Sequence, residues 1–173
     1  MACLITNGVS RTCDFAVGGI KSSVWLANFE DFTPKYAPLT GQITGTTMVG
    51  TGKTFYEYQQ ELQSASLTQS LNAGAVSRFI SQVLVLSMAS LTQAKIETLN
   101  TLALTPVVAI LQANDGNWYW VGDNGSGLKA TATEITSGMA DADPASATVT
   151  LTAANKGYCP TVSAGALSTL NIS

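Results

Sequence analysis

The chain has 173 residues, enough for one domain with a sizeable core. Only 11% of them are charged, less than half of the roughly 25% usual in soluble domains, so the surface is short of the charge that keeps a free monomer dispersed. The formal charge is −3 and the eight lysines and arginines stand singly, which disfavours nucleic-acid binding of the counterion-releasing kind.

A surface this poor in charge, with 46% hydrophobic residues, is expected to be covered by copies of the chain or by partners. In chain order, Met1 to Gly8 has neither the basic region nor the apolar run of a signal peptide. Residues 1–22 read as an N-terminal arm of a single domain spanning 1–173. After a Gly18-Gly19 turn, Val24-Trp25-Leu26-Ala27-Asn28-Phe29 reads as an early strand, ended by the Pro34 to Pro38 break.

Residues 39–53 are dominated by Thr and Gly, which predicts an extended mobile loop or a long hairpin. Within them, Gly-Thr-Gly-Lys-Thr (50–54) resembles a phosphate-cradling loop. The full pattern needs a glycine where Thr47 stands, and a helix after it, to surround and hold phosphate. Phe55-Tyr56-Glu57-Tyr58-Gln59-Gln60-Glu61-Leu62 instead alternates like a strand, so the preferred reading is a turn entering a β-strand from Thr54 to about Ser64.

Ala65 to Leu71 continues or answers that strand, and Asn72-Ala73-Gly74 is a turn. Arg78 to Met88 is apolar on both faces at its centre, as in a strand covered on each side. Ser90, with Gln93 three residues on, has capping-box spacing for a helix over about 90–104. Ile96, Leu99, Leu102 and Ala103 form its apolar face, and Pro106 blocks its continuation.

Val107 to Gln112 and Trp118 to Val121 flank Asn114-Asp115-Gly116-Asn117, a β-hairpin signal. A glycine loop, 122–127, leads to strands near 128–135 and 147–152, and residues 154–173 read as a C-terminal arm anchored by Leu167, Leu170 and Ile172. The total predicts a mainly β protein, a sandwich or barrel of about seven strands with one flanking helix. No apolar run approaches the ~20 residues of a membrane helix, so no membrane anchor is expected.

With no histidine in the chain, the commonest general base and the Ser-His-Asp and Cys-His arrangements are missing. Glu57 and Glu61, about 13 Å apart along a strand at ~3.3 Å per residue, are too far apart for paired glycosidase carboxylates. Asp141 and Asp143 start like a calcium loop, but Pro144 and Ala145 break the pattern. Cys3, Cys13 and Cys159 match no zinc spacing and read as reduced, small hydrophobes, with a Cys3–Cys13 pair left open. Trp118 and Trp120 share a face, more commonly a covered one than a ligand platform. The expectation is therefore a protein that is not an enzyme and uses no cofactor or metal.

The order of these elements, and above all "TLNTLALTPVVAILQANDGNWYWVGDNGSGL" (98–128) followed by "SATVTLTA" (146–153), resembles the tail tube proteins of bacteriophages. The opening "MACLITNGVSRTCDFAVGGIKSSVWLANF" (1–29) is similar to the beginnings of virion proteins from phages of Bacteroidetes. The resemblance implies hexameric rings stacked into a hollow tail tube, with other tail proteins as partners, viral DNA passing through without specific binding, and assembly in the host bacterial cytoplasm. It also implies a polar or acidic lumen, which Glu57, Gln59 and Glu61 would suit, and an inter-ring connector carrying Thr44, Gly45, Gly50, Gly52 and Lys53, with Lys53 an exposed charge. The alternatives are a capsid-decorating or other head- or tail-associated virion protein, or a β-sandwich ligand-binding module using Trp118 and Trp120.

Overall fold

The computed structural model describes residues 18–38, 40–60, 64–74, 76–123, 127–137, 145–168 and 170. Within them the chain is mainly β, with ten strands in three antiparallel sheets. Strands β1 (Ile20–Asn28), β4 (Tyr56–Gln59), β7 (Val107–Ala113) and β8 (Trp118–Val121) form the first sheet, in the order β4-β1-β7-β8. The second, in the order β5-β6-β10-β9, takes β5 (Ser66–Ala73), β6 (Arg78–Ala89), β9 (Lys129–Thr136) and β10 (Ser146–Asn155). Strands β2 (Phe32–Tyr36) and β3 (Ile43–Met48) make a separate hairpin.

Alternation along the first sheet decides the layering, because successive side chains point to opposite faces. Val24 and Leu26 of β1, with Val107, Ala109 and Leu111 of β7, join Leu84, Leu86, Val149 and Leu151 of the second sheet in one core. The intervening Ala27, Val108, Ile110 and Trp120 face the other way and join Phe32, Ile43, Phe55, Val162 and Ala166 in a second core. The molecule is thus a two-sheet sandwich with the β2–β3 hairpin and the C-terminal segment laid over the first sheet.

The hairpin expected at 107–121 is present, paired Gln112 with Trp118 and Ile110 with Trp120. Gly116, at φ 89°, supplies the left-handed residue of its turn. The strand count of about seven rises to ten, because residues 43–48 form β3 in a hairpin and 66–73 form β5 in the other sheet. Pro34, expected to break the chain, sits within β2 opposite Thr46, a position open to proline because the two-stranded sheet is all edge.

Helix α1 (Gln93–Leu104) is capped by Thr92, whose hydroxyl accepts the Lys95 N–H at 3.4 Å, and not by Ser90. Ser90 instead has φ 57° and turns the chain out of β6. Leu99 and Leu102 are buried as expected, whereas Ala103 is exposed. Residues expected as a C-terminal arm fold back on the first sheet: a short helix α2 (Ala164–Leu167) follows Val162, and Ala166 and Leu170 are buried. Asp141, Asp143, Cys3, Cys13 and Ile172 lie outside the described residues.

Candidate assembly surfaces

Strand β4 is the free edge of the first sheet and carries two of the three residues expected to face a lumen. Tyr58 opposes Val24 and packs against the sandwich core, and its burial raises the phenol above its ordinary pKa. Glu57 and Gln59 point the opposite way and are exposed, the Gln59 amide donating to the Glu57 carboxylate at 3.4 Å. Glu61 lies outside the described residues. Gln60 is buried, and its carbonyl oxygen accepts the Ser87 N–H at 2.6 Å, which ties the end of β4 to the second sheet.

The connector residues divide. Thr44 and Gly45 sit in β3, Gly45 opposite Lys35 and Thr44 at the register shift that follows, and Gly50 and Gly52 make an exposed bend with left-handed backbone. Lys53 remains partly exposed, and its ammonium lies 2.8 Å from the Asp31 carboxylate. That lysine bond is the chief reason Asp31 is held below the usual carboxylate pKa. A bend then enters β4 directly, so the Gly-Thr-Gly-Lys-Thr stretch precedes a strand and not a phosphate-binding helix.

The Trp118–Trp120 pair is unavailable as a ligand platform. Trp120 is fully buried, edge-on to Phe55 at 5.6 Å between ring centroids, and Trp118 lies against Trp25 at 5.2 Å. The outer edge of β8 is occupied as well: Trp120 N–H donates to Pro160 O and Val162 N–H to Trp118 O, while Ile43 N–H donates to Thr161 O. Residues 160–162 therefore bridge β8 to β3 and close that side of the sheet.

A buried polar chain joins the layers. Gln82, wholly buried in β6, accepts from Gly122 N–H at 3.1 Å and from the Asn155 amide at 2.6 Å. The Asn155 amide also donates to Asp123 at 3.2 Å, and the Tyr36 hydroxyl donates to the same carboxylate at 2.8 Å. Burial, then the Asp123 carboxylate, pushes the Tyr36 phenol above its ordinary pKa. Cys159 lies buried near by, its thiol pushed up to about 12 by desolvation and by Asp123, so it is a protonated packing residue and no nucleophile. Sequence reasoning passed over this chain, although a lone glutamine inside an apolar strand is a signal for it.

The outer face of the second sheet is half-buried to exposed among the described residues. Register places Thr68, Ser70, Ser81, Val83, Val85, Ser87, Thr148, Thr150 and Thr152 on its outer side. None of these is charged; on edge strand β9 the register adds Glu134 opposite Thr148 and Lys129 opposite Thr152 to the same face. Beyond the core the β5–β6 hairpin projects, with Leu71 57%, Val76 101% and Phe79 41% exposed. Among the described residues, no acidic or cysteine cluster is placed to hold a metal and no helix is long and apolar enough to cross a membrane. No protein-family model matches the chain, and no curated protein matches it.

Proposed function

We propose that this protein is a structural, self-assembling virion component of the tail tube kind. Copies close into hexameric rings that stack into a hollow tube, and viral DNA passes through without specific binding. The observation that carries the reading is the second sheet. Its outer face carries charge only on margin strand β9, at Lys129 and Glu134, its edge strands β5 and β9 lack a further strand partner among the described residues, with helix α1 beside β9, and apolar side chains project from one end. Free edges of this length invite pairing with another chain, and ring closure removes them. The low charge of the whole chain fits a surface that ends up covered.

In this assembly the exposed Gln59 on β4 faces the lumen, where phosphates slide past it, and the 49–53 bend meets the adjacent ring. Other tail proteins cap the tube, and its place is the virion tail after assembly in the host bacterial cytoplasm. Negative-stain electron microscopy with mass-resolved sizing over a concentration series tests the reading. Hexameric rings or hollow tubes are the expected result; a dispersed monomer at every concentration overturns it, and a trimer that binds a viral shell moves the protein to the capsid-decorating class.

A further inference from the structure

Strand β6 has unlike ends. At Arg78 it leaves the projecting hairpin, whose turn is closed by Gly74 N–H donating to Ser77 O at 2.8 Å. Leu71, Val76 and Phe79 stand out from this tip into solvent. Ten residues further on, about 33 Å away at ~3.3 Å per residue, Met88 lines an open groove between β4 and α1.

That groove has a volume of about 680 Å³ and is walled by Tyr56, Glu57, Tyr58, Met88, Lys95 and Thr98. Its size lies within the ~300–1,000 Å³ of clefts that bury a compact group. The tip brings three apolar side chains and one cation; the groove offers two tyrosines, a methionine and one acid. No ion pair joins Glu57 or Arg78 to another described residue. Lys95 does not compete for Glu57, because its ammonium is held by the carbonyls of Ala89 at 2.8 Å and Ser90 at 3.0 Å.

We infer that the β5–β6 hairpin tip of one copy seats in the β4–α1 groove of the next copy, with Arg78 against Glu57. The two surfaces are too far apart to meet within one chain, so the contact is between copies. It joins unlike patches and therefore propagates head to tail, closing a ring or extending a stack. Apolar seating of Val76 and Phe79 supplies adhesion, and the Arg78–Glu57 pair sets orientation. The inference rests on the self-assembly reading and names the contact that reading needs.

The test replaces Cys3 and Cys13 by serine and then mixes copies carrying Val76→Cys with copies carrying Tyr56→Cys under mild oxidation. A disulfide-linked pair that forms only in the mixture is expected. Rings or tubes that form without this cross-link overturn the tip-in-groove contact and leave the assembly reading standing. Cross-linking of Val76→Cys copies with one another overturns it in favour of a tip-to-tip contact. Absence of any assembly overturns both.

Charge reversal gives an independent arm. Arg78→Glu and Glu57→Arg each raise the concentration needed for assembly about tenfold, and the double variant returns it close to the parent value. Additive losses in the double variant, with circular dichroism unchanged, overturn the pairing.

Discussion

The two four-stranded sheets of this molecule are built from similar apolar strands and end in opposite situations. Strand β7 of the first sheet is buried at five consecutive positions, Val107 to Leu111, because a core lies on each side of it. Strand β6 of the second sheet alternates: Gln82, Leu84, Leu86 and Met88 are buried, while Val83 and Val85 between them are only half-buried. Sequence reading assigned coverage on both faces to β6, and the structure gives it to β7. The difference teaches that valine on an outer strand face reflects β-branched fit to a pleated surface as much as burial. What separates the sheets, among the described residues, is the cover supplied by β2–β3 and by Val162, Ala166, Leu167 and Leu170, which packs on the first of them.

The comparison breaks most visibly at Trp120. Truncating it to alanine empties the site packed against Phe55, and a loss of about 3–5 kcal/mol is expected in urea unfolding. Val85→Ala, at the half-buried outer face, should cost well under half of that. Equal losses at the two positions would show that the second sheet is covered within the monomer after all.

Next in size is the buried polar chain. Gln82→Leu removes the acceptor for Gly122 N–H and the Asn155 amide, leaving donors unpaired in the interior; about 1–3 kcal/mol should be lost on thermal or chemical melting. Tyr36→Phe removes a hydroxyl that meets Asp123 at the protein's margin, and about 1 kcal/mol or less is expected.

The ion pair that pins the 49–53 bend should show in the acid limb of stability. Asp31 has a lowered pKa in the folded state, so its contribution is full above the ordinary carboxylate range and is lost as pH falls through the lowered value. Lys53→Met should flatten that limb in a melting-temperature series between neutral and acid pH, by an amount near the ~0–1 kcal/mol of a partly exposed pair. An unchanged acid limb would remove the pair from the account.

The smallest effect on folding is predicted for Thr150→Lys, on the outer face of the second sheet. Stability should stay within about ±0.5 kcal/mol, while the assembled fraction seen by sedimentation falls, because a charge now stands where another copy would lie. Assembly at the parental concentration would show that this face is not covered.

Much of this fold was written locally. The 107–121 hairpin follows from apolar runs around Asn-Asp-Gly-Asn, and α1 follows from its 3.6-residue pattern and Pro106. The covered Trp118–Trp120 face followed from simple alternation. The lumen assignment of Glu57 and Gln59 gained only their exposure on β4, since which surface becomes a lumen is a property of several chains.

Periodicity, turn residues and composition thus determined the β class, the central helix, the main hairpin and the shortage of surface charge. Tertiary structure alone decided that Ser66–Ala73 pairs with β6 and not with β4, that Lys53 meets Asp31, and that Gln82, Asn155, Asp123 and Tyr36 form one chain. The physical reason is range. Backbone preference and alternation act over a few neighbouring residues, whereas strand partners, sheet cover and buried polar contacts join residues tens of positions apart, and only the packed chain brings those together.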